Sequence, residues 1–200
     1  MTAEQTNLFG GGPALPEGFR YHPDLVSAAQ EAALLEQVKK LPFKQFEFQG
    51  FTGNRRTVSF GWRYDFNERV LQRADDIPRF LLSLRETAAA FAGMEAGRLQ
   101  QALVIEYDAG AGIGWHRDKA VFGEVIGISL LSSCRFRLRR KAGSRWDRVS
   151  LTAEARSVYL LSGPVRTEWE HSIPPVEVLR YSITFRNFRE AREANDRPSG

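Results

Sequence analysis

From Gln101 onward the chain breaks into short alternating segments. They are ALVIEY (102–107), EVIGISLL (124–131), CRFRLRR (134–140), DRVSL (147–151), SVYLLSG (157–163) and VLRYSITFRNF (178–188). Turn residues punctuate them at sandwich-like intervals, and no long helix lies between. This pattern constrains the fold more than any other feature. The second half is antiparallel β, built either as a jelly roll or as a barrel.

The first half reads differently. DLVSAAQEAALLEQVKKL (24–41) carries apolar residues at helical spacing, with Lys39 and Lys40 in its last turn to suit the helix dipole. DDIPRFLLSLRETAAAFAGM (75–94) predicts a second helix, with Asp75 or Asp76 as cap, Pro78 in the first turn and Gly93 near the end. Between them, QFEFQGFTGNRRTVSFGWRYDFN (45–67) alternates aromatic and polar residues and is broken by glycines, which suggests short strands or a hairpin. Residues 1–20 are polar and rich in Gly and Pro, an expected flexible arm, and 191–200 form a polar tail. Residues 21–190 are long enough for one domain with a proper core and too short for two.

Composition excludes several classes. Cys134 is the only cysteine, so neither a disulfide framework nor a cysteine-based zinc site can form within the chain. The N-terminus lacks the basic and apolar regions of a secretory signal. No apolar run approaches the roughly 20 residues that span a bilayer. The expectation is a soluble, cytoplasmic protein with no membrane partner, no obligate protein partner and a monomeric state. The net charge of +4 is a modest excess that leans toward an acidic partner such as nucleic acid.

Chemistry concentrates at GWHRDK (114–119). On an extended segment, residues i and i+2 share a face, so His116 and Asp118 can converge on one point. An imidazole and a carboxylate are two thirds of the facial triad that holds non-heme Fe(II) with open positions. The third ligand must be His22 or His171, the remaining histidines. His22 lies ahead of the first helix. His171 follows an expected strand around Val165–Glu170 and, across a barrel, suits the role better.

Two further features support a site there. In Val178–Phe188 the even positions are Arg180, Ser182, Thr184 and Arg186, while Leu179, Tyr181, Ile183 and Phe185 occupy the odd ones. Arginines six residues apart stand roughly 20 Å from one another along a strand, and leaning inward they could bracket a short dicarboxylate. Tyr107, before the glycine-rich turn DAGAGIG, can hydrogen-bond an anion from across the barrel. The glycine spacing does not match a dinucleotide loop, and no helix follows it.

The order Tyr107, His116-x-Asp118, His171, Arg180 and Arg186, with EWEHSIPP and the R-x5-R of RYSITFR, resembles the AlkB family of Fe(II)/2-oxoglutarate dioxygenases. That resemblance implies an α+β, mainly β fold. It would have a double-stranded β-helix (jelly-roll) core at about 100–188, N-terminal helices, and an aromatic and basic hairpin lid at about 45–70. It implies Fe(II) on His116, Asp118 and His171, with 2-oxoglutarate as cosubstrate and O2 as oxidant. Arg180, helped by Tyr107, would pair with the distal carboxylate of 2-oxoglutarate, with Ser182 in the same cosubstrate pocket. Arg186 would lie nearer the carboxylate that chelates iron. Ile105 and Ser182 stand where family members often carry asparagine, and Ala120 stands where the founding bacterial member has an acid that helps read the base.

The implied activity is oxidative dealkylation of N-alkylated bases in DNA or RNA, as in repair of alkylation damage. The alternative is the same hydroxylation chemistry applied to RNA modification, a protein or a small molecule. Arg135–Arg148 contains seven basic residues and one acid. Arg137 and Arg139 share a strand face suited to phosphate contacts, and Trp62 and Tyr64 are candidates to stack on an extruded base.

Overall fold

The computed structural model describes residues 15–48, 51–65, 68 and 70–189, with the side chains of 46–48 and 51–53 excepted. The expected C-terminal tail and most of the expected N-terminal arm lie outside these residues. The end of that arm does not stay loose: Phe19–His22 forms strand β1, paired with a strand near residue 160.

Helix α1 (Ala28–Val38) begins later than its apolar periodicity suggests. Ser27 accepts from the Gln30 amide while the Gln30 side chain accepts from the Ser27 amide, a capping box that fixes the start. Asp24, where the helix was expected to begin, instead takes a left-handed backbone and pairs with Arg156. Strands β2 (Lys44–Phe48) and β3 (Phe51–Phe60) follow as an antiparallel pair. Next come β4 (Trp62–Asp65) and β5 (Val70–Arg73), a hairpin that forms a sheet of its own. Helix α2 (Leu82–Ala92) is entered through a 3-10 turn at Arg79–Leu81, so neither Asp75 nor Asp76 caps it, and Gly93 ends it with φ of 75°.

The β-rich half contains β6 (Gln101–Tyr107), β7 (Ile113–His116), β8 (Phe122–Leu130), β9 (Cys134–Ala142), β10 (Arg145–Ala153) and β11 (Val158–Leu161). It ends with a short helix α3 (Gly163–Glu168), then β12 (Glu170–Ile173) and β13 (Arg180–Phe188). The expected strand around Val165–Glu170 is therefore a correction, because most of it is α3. Pro164 in its first turn is preset for a helix, and the chain becomes extended only at Trp169.

The major sheet runs β1-β11-β8-β13-β6-β3-β2 and the minor sheet β10-β9-β12-β7. This is the jelly-roll arrangement expected from the strand pattern. The helices cover one face of the major sheet, where Leu34, Leu84, Val104, Ile128 and Ile183 share a core. The minor sheet covers the other face, over Ile105, Tyr107, Phe136, Tyr159 and Ile173. Central strands of the major sheet are thus buried on both sides, which explains why ALVIEY reads as nearly continuous apolar sequence. It also decides the polar face of β13. Arg180, Ser182 and Thr184 point into the space between the sheets and are 1%, 3% and 5% exposed.

Candidate metal centre

His116 ends β7 and faces His171 of β12 directly across the ladder. Opposed residues in an antiparallel pair project to the same side, and the two rings stand 4.2 Å apart. Asp118 follows after one residue, and its Oδ2 lies 3.5 Å from His171 Nε2. Donor atoms of His116, Asp118 and His171 all fall within 4.8 Å of one another. His22 is remote from this group, exposed on β1 opposite Val158.

The surroundings put each ligand in its binding state. His116 Nδ1 sits 3.0 Å from the Gly114 carbonyl, so a proton held there leaves Nε2 for a metal. His171 packs on the Phe136 ring, and burial pushes its pKa down to about 3 despite the opposing pull of Asp118. Its imidazole is neutral, as coordination requires. Burial alone would raise the Asp118 pKa, but the adjacent Arg186 guanidinium outweighs it and holds the carboxyl well below the usual range.

Asp118 is asymmetric. Its Oδ1 accepts from Arg186 Nε at 3.0 Å and Nη2 at 2.7 Å, whereas its buried Oδ2 has no hydrogen-bond partner among the described residues. An unpaired anionic oxygen beside two imidazoles is what a divalent cation would satisfy, so these residues fit a metal. The loop after Asp118 is pinned from beneath by Arg166. That guanidinium donates to the carbonyls of Asp118 at 3.3 Å, Lys119 at 2.8 Å and Phe122 at 2.9 Å.

At the other end of the β13 polar face, Arg180 is fully buried. Its Cζ lies 4.8 Å from the Tyr107 ring centre and its Nε donates to Ser129 Oγ at 3.1 Å. Arg180 Nη1 and Ser182 Oγ have no hydrogen-bond partner among the described residues. A buried cation with a free N–H, next to an unsatisfied hydroxyl, fits an anionic ligand such as a carboxylate. Arg186 lies at the metal end as expected. Its Nε and Nη2 donate to Asp118 and its Nη1 to Gln101 Oε1, so three of its five N–H groups orient a metal ligand.

The candidate substrate residues divide. Trp62 packs edge-on against Phe188 at 5.4 Å, with Arg73 on its ring, at the root of the β4–β5 hairpin. Tyr64 reaches the metal loop, where Lys119 Nζ lies 4.9 Å from its ring centre. The cationic ribbon lies on the outer face of the minor sheet, opposite the buried Phe136 and Leu138, as its alternation predicts. Leu138 opposes His171 and faces inward, so Arg137 and Arg139 face outward, away from the metal. Arg139 pairs with Glu170 at 2.6 Å and stacks between Trp115 and Trp146, while Arg137 donates to Ser172 at 2.9 Å and lies over Trp115. A cavity of about 630 Å³ instead opens beside Asp118, lined among others by Arg98, Arg117, Arg166 and Arg189.

Sequence reasoning missed Arg166, Gln101 and this groove. A glutamine in a fully buried strand is the one of these that carried a legible signal.

A jelly roll with a His-x-Asp and a distant His on facing strands defines a mononuclear metal enzyme of the oxygenase type. The chain belongs to the 2OG-Fe(II) oxygenase superfamily, whose family model matches residues 18–186. This superfamily uses Fe(II), 2-oxoglutarate and O2, and the His116–Asp118–His171 group fits the iron. The chain is 28% identical over 178 residues to the alkylated DNA repair protein ALKBH8 homolog of Arabidopsis thaliana, covering 76% of this chain and 49% of that relative. It therefore spans about half the length of that curated protein. Among solved structures, OsALKBH1 matches 87% of this chain and 98% of its own, with a TM-score of 0.67 and 15% identity. A prolyl-4-hydroxylase of Pseudomonas putida matches 87% of this chain and 94% of its own, with a TM-score of 0.58 and 14% identity. The AlkB-like resemblance read from the sequence agrees with the first two of these.

Proposed function

We propose that this oxygenase removes alkyl groups from the nitrogens of nucleobases in DNA or RNA. Fe(II) with 2-oxoglutarate and O2 supplies hydroxylation of the alkyl carbon, yielding succinate and CO2, and the hydroxylated group then leaves the base as an aldehyde. The observation that carries the nucleic-acid reading is the arginine-lined groove beside Asp118. A polyanion is a natural occupant of a groove lined by Arg98, Arg117 and Arg189. The name of the Arabidopsis relative points the same way.

In this reading His116, Asp118 and His171 hold the iron. Arg180, Tyr107 and Ser182 receive the distal carboxylate of 2-oxoglutarate, and Arg186 keeps Asp118 oriented. Tyr64, beside Lys119 on the metal loop, is the ring placed to stack on an extruded base, with Trp62 anchoring the hairpin behind it. Phosphates would run along Arg117 and Arg189 rather than along the outward-facing Arg137 and Arg139.

The test is aldehyde release from oligonucleotides carrying 1-methyladenine or 3-methylcytosine, supplied as DNA and as RNA with iron and 2-oxoglutarate. Release from either supports the proposal. Succinate formation stimulated by peptides and not by any methylated oligonucleotide would refute it.

A further inference from the structure

We propose that Gln101 is a positioning residue that couples the β4–β5 hairpin to the iron ligand Asp118. The inference rests on the metal centre and not on the identity of the substrate.

Gln101 opens β6 and is 3% exposed, so both ends of its amide need partners within the protein. Its Oε1 accepts from Arg186 Nη1 at 3.0 Å, and its Nε2 donates to the Trp62 carbonyl at 3.1 Å. Arg186 in turn holds Asp118 Oδ1 through two nitrogens. The result is an unbroken chain from the backbone of β4 through Gln101 and Arg186 to the carboxylate. Each group in it has a single sensible role. The guanidinium only donates, the carbonyl and carboxylate only accept, and the amide does one of each, which fixes its orientation.

The hairpin is anchored at the point where this chain grips it. Gly61, between β3 and β4, has φ of 73°, and a Cβ there would lie 2.0 Å from the Gln100 carbonyl oxygen. Only glycine lets the chain pass so close with that backbone. Gly61 also binds both residues that close the hairpin base, donating to the Asp75 carbonyl and accepting from the Ala74 amide. The neighbouring Gln100 ties its Oε1 to the Phe188 amide, fixing the end of β13 against which Trp62 packs. Gln100 and Gln101 thus form the junction of hairpin, β13 and metal ligand.

A cation bound at Asp118 Oδ2 fixes the carboxylate and, through Arg186 and Gln101, fixes the Trp62 carbonyl. Coupling between two sites is reciprocal, so a hairpin held down by substrate favours the productive setting of Asp118 to the same extent.

The test uses the full chain and Co(II), which reports the site through its visible d–d absorption without turnover. Hydrogen exchange is followed in the apo and Co(II)-bound forms. In the wild type, Co(II) should slow exchange at β4 and β5 by about fivefold or more, the lower range of ordinary coupling. In Gln101→Leu that slowing should vanish, while protection of β6 and β13 remains. The Co(II) dissociation constant should rise by up to roughly tenfold, the lower end of the effect of losing a direct partner of a metal ligand, because Gln101 acts through Arg186. Gln101→Glu separates the two links, because it still accepts from Arg186 but cannot donate to the Trp62 carbonyl. It should bind Co(II) nearly as the wild type does and yet lose the hairpin response. Undiminished hairpin protection in both variants, or none in the wild type, would overturn the proposal. A wild-type chain that binds no Co(II) would overturn it together with the metal centre beneath it.

Discussion

Arg180 offers a test in which stability and binding should move in opposite directions. It is a fully buried cation with no ion pair among the described residues, a neutral hydrogen bond to Ser129 and the face of Tyr107. Removing a guanidinium from water carries an effective penalty of several kcal/mol. The Tyr107 face returns about 2 kcal/mol and the Ser129 bond about 1 kcal/mol. A net deficit of about 1–2 kcal/mol is left in the protein without cosubstrate. Arg180→Met keeps most of the volume and removes the charge. For a chain of this length, each kcal/mol shifts Tm by about 2–4 °C, so the variant should melt about 2–8 °C above the wild type in chelator.

Cosubstrate should reverse the order. At a concentration a hundred times its Kd, 2-oxoglutarate stabilises the wild type by about 2.7 kcal/mol. Losing a charge-assisted contact worth about 3 kcal/mol weakens binding about 150-fold, and the same concentration then stabilises the variant by only about 0.3 kcal/mol. The assay is thermal denaturation followed by circular dichroism, first with chelator and then with Co(II) and 2-oxoglutarate. A crossing of the two orders is the expected result. An Arg180→Met protein that melts below the wild type in chelator, and is still stabilised in full by 2-oxoglutarate, would refute the reasoning.

Other outcomes follow from the same geometry. His116→Ala, Asp118→Ala and His171→Ala should each abolish Co(II) binding and turnover, while His22→Ala, exposed and far from the site, should leave both intact; activity assays on the four decide this. Gly127→Ala would place a Cβ 2.2 Å from the Tyr159 ring, and such overpacking should lower stability by about 1–3 kcal/mol in urea titrations. Arg117→Ala and Arg189→Ala should each reduce the salt slope of oligonucleotide binding by roughly one unit, and Arg137→Ala should leave it unchanged. The reverse pattern would return the phosphate path to the outer face of the minor sheet.

What the sequence made legible is what period and chemistry dictate locally. Alternation placed Arg180, Ser182 and Arg186 on one face of β13, and the spacing of His116 and Asp118 turned both toward one point. Neither depends on distant residues. The α1 boundary was misread because a capping box overrode a longer apolar periodicity. The strand expected at 165–170 failed because Pro164 presets a helical turn that buries Val165 and Arg166, and the chain extends again only at Trp169.

Partners at the site are less legible than positions. The strand pattern sets Arg135, Arg137 and Arg139 opposite the apolar Phe136 and Leu138, but it does not say what meets them there. The ladder does, by setting Leu138 against His171. Because His171 must turn inward to meet His116, the arginines beside Leu138 must turn out, and there they meet Trp115, Trp146 and Glu170. The same logic separates the two arginines of β13, which look equivalent in sequence. Arg186 lies within reach of Asp118 and is neutralised by it, while Arg180, six residues away along the strand, meets Ser129 and Tyr107. One arginine completes the protein's own polar network. The other keeps a buried N–H without a partner, and an unsatisfied cation of that kind is what a dicarboxylate cosubstrate needs to find.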